Sequence, residues 1–300
     1  MEIRVLKYFL AVAREKNITK AAELLHITQP TLSKQLMDLE NEIGKKLFIR
    51  GNRKIALTEE GLLLQKRAEE IIDLVSKTEK ELEQSDDTIS GDIYIGAGET
   101  VLIRYVAKVA KKLQTQYPLV HFHIESGDAL SVYEQLDKGL IDFGVLFGNI
   151  DMTKYNSIKI PDKDTWGVLM PKGCNLAEKE FVTAEDLIDK PLIVSRQGIT
   201  RGELQNWFKT NTEKLNIAVT YNLVFNASLL VEEGLGYALC LDKIINTTGS
   251  NLCFKPLKPA LEISANIVWK KNQIFSKASD KFLNCLMKIF TQEYDSNASI

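Results

Sequence analysis

Gln29, Thr31, Ser33 and Lys34 lie within a few residues of one another in "TQPTLSK", and together they carry groups that can read a nucleic-acid groove. A glutamine amide pairs with adenine, a lysine ammonium reaches guanine or phosphate, and hydroxyls serve either. Such groups read bases only when a rigid element holds them outward. The same stretch supplies one. Thr28 can cap a helix, and Pro30 falls in its first turn, where a proline forfeits no intrahelical bond. From Leu32 onward, Leu36, Leu39 and Ile43 follow at steps of 4, 3 and 4, which predicts one buried stripe. Pro30, Thr31, Lys34 and Asp38 then point away from it. A preceding helix, capped by Thr19, holds Ala21, Ala22, Leu24 and Leu25, and its alanines let a neighbouring helix approach closely. Taken alone, the pattern fits any helical hairpin as well.

Charge separates the two readings further. Residues 1–58 hold eleven cations and six anions, so in a chain of formal net charge −2 this head carries +5 and the remainder −7. A basic head on an acidic body is the footprint of one end meeting polyphosphate. A solvated basic face is the other reading of charge alone. The next stretch, "KKLFIRGNRKIALTEEG", predicts two short strands, Leu47 to Ile49 and Ile55 to Leu57. They flank the basic turn Arg50-Gly51-Asn52-Arg53-Lys54, a wing able to reach a phosphate backbone or minor groove.

With these residues in place, the chain resembles the LysR-type transcriptional regulators. Phe9, Ala21-Ala22, Leu24, "TQPTLSKQ", Leu39-Glu40, Gly44, "LFIR", Arg53, Leu57-Thr58 and Gly61 match in order and spacing. The resemblance implies a winged helix-turn-helix over 1–58, with DNA contacts from Thr28, Gln29, Pro30, Thr31, Ser33 and Lys34 and from Arg50, Arg53 and Lys54 of the wing. Lys34 stands where the family often has arginine, and an ammonium lacks the fork for a bidentate guanine contact.

Thr58 is placed to cap a long helix from Glu59 to about Ser85. Leu64, Ala68, Ile71, Val75, Thr78 and Leu82 alternate steps of 4 and 3, a repeat that favours a two-helix coiled coil. The linker 59–86 is accordingly predicted to dimerise through Leu64, Ala68, Ile71, Val75 and Leu82. An amphipathic helix packed on its own domain is the other reading.

Beyond the polar joint "EQSDDTISGD", strand and helix patterns alternate, which implies parallel α/β units. "IYIGAG", a helix from about Val101 to Gln116, "VHFHIES", a helix from about Leu130 to Lys138 and "IDFGVLF" form one series. A second begins near Trp166 with "WGVLM", "PLIVS", a helix through Trp207, a strand "AVTYNLVF", a helix around Leu229 to Glu233, and "GYALCL". "EISANIVWK" and a last helix through Phe282 and Ile289 return to the first series. The predicted fold is α/β: a winged helix-turn-helix, a long linker helix and a two-lobed, periplasmic-binding-protein-like effector domain over 92–300. Lobe I takes about 92–161 and 267–300, and lobe II about 162–266.

The resemblance extends here through "IGAGET", Tyr117-Pro118, Gly127, Leu136, "GLID" and "VEEGLGYAL". Ligands of such sheets sit beyond the carboxyl ends of strands, beside helix N-termini. That rule selects Thr100, Gly127, Asp128, Ala129, Phe147, Ser195, Arg196, Gln197, Asn226 and Ser228. Ala129 replaces the family's usual hydroxyl residue, and Asp128 precedes it. An aspartate capping that helix fills part of a positive site, which leaves a zwitterionic, cationic or neutral effector, or one whose anionic end sits elsewhere. Helix caps are the other reading of Thr100, Asp128 and Ser228.

Remaining candidates point to no chemistry. "GAG" at Gly96 to Gly98 lacks a full nucleotide fingerprint. His121 and His123 share a strand face without an identifiable third metal ligand. Cys174, Cys240, Cys253 and Cys285 form no C-x-x-C pair and read as reduced thiols. The start, "MEIRVLKYFLAVAREKN", has helical periodicity rather than a signal-peptide core, and no apolar run reaches about 18 residues. The expectation is a cytoplasmic regulator, not an enzyme, with no cofactor beyond a small-molecule effector and no membrane. Its expected partners are double-stranded operator DNA, its own copies as homodimer or homotetramer, and RNA polymerase at the promoter. The competing class is an α/β metabolite-binding or metabolising protein whose helical head serves assembly.

Overall fold

Apolar residues at Val5, Leu6, Phe9 and Val12 recur at helical spacing, and they fold the N-terminus into α1 (Ile3–Glu15) with those four side chains buried. The computed structural model describes residues 1–50, 55–82, 89–200, 202–209 and 214–297. The chain separates into two units, Met1–Gln84 and Ser85–Ile300.

In the first unit, α2 (Ile18–Leu24) follows α1. Its cap is Asn17, whose side chain accepts from the Lys20 N–H at 3.1 Å. Thr19, expected as the cap, lies inside the helix. The asparagine precedes the first helical residue in extended conformation and takes the capping position that its short amide suits. α3 (Gln29–Ile43) opens as expected, with Thr28 accepting from the Thr31 N–H at 3.4 Å, and it closes on left-handed Gly44. Leu32, Leu36 and Leu39 are buried, but Ile43 is 40% exposed, because the small core ends at Leu39 on this helix.

β1 (Phe48–Arg50) and β2 (Ile55–Leu57) pair antiparallel and form the wing. α4 (Glu59–Leu82) begins one residue after Thr58, whose hydroxyl donates to Lys46 O at 2.7 Å and accepts from the Gly61 N–H at 2.9 Å. Glycine is required at 61, where a Cβ would lie 2.2 Å from Leu47 O. The far end of the predicted linker, through Ser85, lies outside the described residues. Ala68 is fully buried within this unit, with Leu64 and Ile72 packed against the same cluster. Leu64 and Ala68 therefore belong to the head's own core rather than to an outward seam. Ile71, Leu74 and Leu82 are exposed and Val75 is half-buried.

The second unit runs β3 (Gly91–Ala97), α5 (Ile103–Gln116), β4 (Val120–Ser126), α6 (Ala129–Lys138), β5 (Phe143–Phe147) and β6 (Tyr155–Pro171), then α7 (Ala184–Leu187), β7 (Leu192–Ser195), α8 (Arg196–Thr200), α9 (Glu203–Phe208), β8 (Ile217–Tyr221), α10 (Val224–Glu232), β9 (Tyr237–Leu241), β10 (Leu252–Pro256), β11 (Glu262–Lys270) and α11 (Lys277–Asn297). The sheet order is β4-β3-β5-β11-β6-β9-β7-β8, with β10 also on β6. β3 pairs parallel with β4 and β5, and β7 pairs parallel with β8 and β9.

Two antiparallel strands join these halves. β6 pairs with β11 up to Thr165, and from Trp166 onward it pairs with β9 and β10. The chain thus crosses from lobe I to lobe II along β6 and returns along β11, where an irregularity lies between Ser264 and Asn266. Each lobe is cored on both faces of its sheet, as buried parallel strands require. Ile95, Phe143, Ile267 and Phe282 fill one face of lobe I, and Val132, Leu136 and Ile141 the other. Val168, Leu192, Val194 and Leu239 do so in lobe II, opposite Ile193, Ala227, Val231 and Cys240. Gly96 and Gly144 pair across β3 and β5, and a Cβ on either would come within 2.8 Å of an α6 or neighbouring side chain. Their bareness lets α6 sit close to the sheet.

The strand predicted as "AVTYNLVF" ends at Tyr221, and Val224 already opens α10. α10 is apolar nearly all round, and a run without period does not mark where strand gives way to helix.

Candidate functional site

The polar tip of α3 is built before anything binds it. Thr28, Gln29, Pro30, Thr31 and Lys34 are exposed, and Ser33 is half-buried. The Gln29 amide donates to Ser33 Oγ at 2.7 Å, and the Thr28 and Thr31 hydroxyls lie 2.8 Å apart. These bonds fix the glutamine with an acceptor still free to face a base edge, and the buried leucine stripe fixes the helix beneath it. Such preorganisation lowers the entropy cost of contact.

Glu40 ties this helix to the wing. Its carboxylate accepts from Lys46 Nζ at 2.7 Å and from the backbone N–H groups of Leu47 and Phe48 at 2.9 and 3.2 Å. Burial pushes the Glu40 carboxyl up, but these hydrogen bonds outweigh it and hold the group below the ordinary carboxylate range. Phe48 in turn packs on Phe9 with ring centroids 5.2 Å apart. Arg53 and Lys54 lie outside the described residues, as does the Arg50 side chain.

In the second unit, a cleft of about 540 Å³, open mouth included, lies between the lobes. Of the residues chosen from sequence, Gly127, Phe147, Ser195 and Gln197 line it. The others do not. Thr100 is buried beside it, donating to Asp164 and accepting from the Leu102 N–H at 2.9 Å. Asp128 caps α6 by accepting from the Ser131 N–H at 2.9 Å, and Ala129 begins that helix. Arg196 is exposed on α8 outside the lining. Asn226 and Ser228 are a turn inside α10 rather than before it, and the Ser228 hydroxyl donates to Phe225 O at 2.7 Å. The early start of α10 removes both from the cleft.

The residues missed are the chemically distinctive ones. Glu99 leaves β3 in lobe I and accepts from the Val224 N–H at the start of α10 in lobe II. Burial raises its carboxyl above the usual range, partly countered by that hydrogen bond. Trp166 opens the lobe II segment of β6 and also lines the cleft, beside Gly198, where a Cβ would meet the indole at 3.0 Å. Tyr221 and Asn222 complete this wall, and the Tyr221 hydroxyl is spent on Leu239 O at 2.6 Å. The adjacency of Glu99 to Thr100 was the available signal in sequence. Asp164, behind Thr100, is 2% exposed, and burial pushes its carboxyl up to about 6.

Elsewhere the geometry holds no reactive constellation among the described residues. No group of three histidine, cysteine or acidic residues is placed to hold a metal. His123 stacks on Tyr94 and lies 3.2 Å from Asp92. Burial pushes the Cys240 thiol up to about 12, away from the reactive thiolate. No described helix is long and apolar enough to cross a membrane.

A helix-turn-helix with an outward polar second helix and a two-stranded wing defines the winged helix-turn-helix class of DNA-binding protein, here carrying a bilobed α/β unit. Residues 3–62 match the model of the bacterial regulatory helix-turn-helix proteins of the lysR family, and residues 86–290 match that of the LysR substrate binding domain. The chain belongs to the LysR family of transcriptional regulators. It is 29% identical to a probable RuBisCO transcriptional regulator of Phaeodactylum tricornutum, over 96% of each chain. It is 28% identical to the Hca operon transcriptional activator HcaR of Escherichia coli, over 91% of this chain and 93% of that one. The fold of full-length CbnR, solved with its target DNA, superposes with a TM-score of 0.76 at 19% identity, covering 96% of this chain and 99% of CbnR. These relatives are regulators, and this chain is a transcriptional regulator rather than an enzyme.

Proposed function

We propose that this regulator holds operator DNA through Thr28, Gln29, Pro30, Thr31, Ser33 and Lys34 of α3, with Arg50, Arg53 and Lys54 of the wing on the phosphate backbone. The observation that carries the reading is the exposed, internally braced tip of α3 above a fully buried leucine stripe. A small-molecule effector bound in the cleft between the lobes shifts the population of DNA-bound arrangements. The regulator acts in the cytoplasm as a homodimer or homotetramer and meets RNA polymerase at the promoter. Its coiled-coil contact uses the outward residues Ile71, Val75 and Leu82. Two heads on one site double the phosphate contacts and hence the salt dependence.

A salt-titrated gel shift on the promoter-proximal DNA tests this. Arg53→Ala is expected to weaken binding to every sequence and to reduce the salt slope by about one unit. An unchanged slope refutes the wing contact. Val75→Glu, which sets like charges in the seam, is expected to sediment as a smaller species; unchanged mass refutes the seam.

A further inference from the structure

Among the described residues, the lining of the cleft between the lobes carries one carboxylic acid and no lysine, arginine or histidine. That acid, Glu99, is half-buried, and among the described residues no cation pairs with it; its hydrogen bond is to the backbone of Val224. A carboxylate drawn out of water without a counter-ion is costly, and a cation brought beside it recovers the loss. The walls suit such a cation. Phe147, Trp166 and Tyr221 line the same space, and aromatic faces attract ammonium and guanidinium groups. Tyr221 has its hydroxyl tied to Leu239 and so contributes ring rather than polar tip. Trp166 is 5% exposed, and its indole N–H is buried without a partner.

We propose that the effector of this regulator is a cationic amine, with Glu99 as its counter-charge and the rings of Phe147, Trp166 and Tyr221 as its walls. The inference rests on the cleft being the effector site. Glu99 occupies the N-terminus of α10, where an anionic ligand would otherwise be favoured, so the protein supplies that anion itself. The neighbouring groove, which shares Gly98 and Glu99, holds Arg104 and Lys243 and gives a carboxylate ligand a competing place.

Full-length protein titrated by calorimetry and thermal shift with matched probes decides the matter. Tyramine and 4-hydroxyphenylpropionate share a skeleton and differ in end charge, as do 4-aminobutanol and 4-hydroxybutyrate. The amines are expected to bind and raise Tm, and the carboxylates to do neither. Glu99→Gln keeps an acceptor for the Val224 N–H while removing the charge, and it is expected to weaken the amines about ten-fold or more. Carboxylates that bind the wild type better than their amines, amine affinity unchanged in Glu99→Gln, or no response to either amine would each overturn the proposal. Gly98→Leu separates this from failure of the cleft reading. A Cβ at 98 has room, with its nearest neighbours 3.9 Å away, and a leucine there fills the cleft. Amine binding that survives Gly98→Leu places the ligand elsewhere and removes the cleft itself; carboxylate binding abolished by Gly98→Leu keeps the cleft and removes only the cation.

Discussion

The reading tip of α3 and the cleft between the lobes solve opposite problems. The tip comes from one continuous stretch, is exposed, and is braced by short hydrogen bonds within a single helical turn. The cleft gathers Glu99, Gly127, Phe147, Trp166, Gln197 and Tyr221 from the ends of strands far apart in the chain, and its central acid is half-buried. A surface that must meet a polyanion keeps its polar groups wet until contact. A pocket that must discriminate a small molecule instead leaves groups partly desolvated and incompletely satisfied. The head therefore stores little electrostatic strain at its reading surface, whereas the second unit stores it around Glu99 and Asp164.

Substitutions can break that contrast. The largest effect is expected at Glu40, the one buried acid among the described residues of the head, whose carboxylate accepts three hydrogen bonds. Glu40→Ala leaves the buried Leu47 N–H and the adjacent Phe48 N–H without their acceptor and should cost the head about 3 kcal/mol, read by chemical denaturation. Because the folded carboxyl is held below its ordinary value, its contribution is present at neutral pH and fades as pH falls through that lowered value. A variant as stable as the wild type at neutral pH would show that the wing is held by packing alone.

Asp164 should behave in the opposite sense. Its folded carboxyl is raised from 3.8 to about 6, so the folded state binds the proton more tightly and stability falls as pH rises between those values. Asp164→Asn is expected to stabilise the second unit by about 2 kcal/mol at about pH 8 and to make little difference near about pH 4. An Asn variant with no gain in Tm at the higher pH would mean that Thr100 and Lys243 fully compensate the buried charge. The smallest effect belongs to Asp128. As a cap of α6 it is worth about 1 kcal/mol, so Asp128→Ala should lower Tm slightly while leaving amine binding within about two-fold of wild type. A larger loss of binding than of stability would move Asp128 from helix cap to cleft.

The same contrast explains how much could be read from sequence. Leu32, Leu36 and Leu39, the Thr28 cap and Pro30 lie in one periodic stretch, and their local physics is their tertiary role. Asn17 displaced Thr19 as a cap only because two candidate caps stood within three residues, which spacing alone cannot rank. The linker periodicity read Leu64 and Ala68 outward, yet α1 packs against that face, and a heptad stripe does not say whose surface buries it. In the second unit, the alternation of strand and helix and the return of α11 to lobe I were legible from pattern. The cleft was legible only in part. Gly127, Phe147, Ser195 and Gln197 followed from the rule that ligands lie beyond strand ends, whereas Asn226 and Ser228 failed with the misplaced start of α10. Glu99 and Trp166 owe their importance to what faces them across the lobes, and that is set by long-range pairing of β6 with β9 and β11.

Whether α3 reads bases is decided by Gln29→Ala, measured on operator DNA and on random DNA of equal length at the same salt. Base reading predicts a loss of about 1 to 3 kcal/mol on the operator and far less on random DNA, because a base contact is forfeited while phosphate contacts remain. Equal weakening on both would contradict it and reduce Gln29 to a backbone contact.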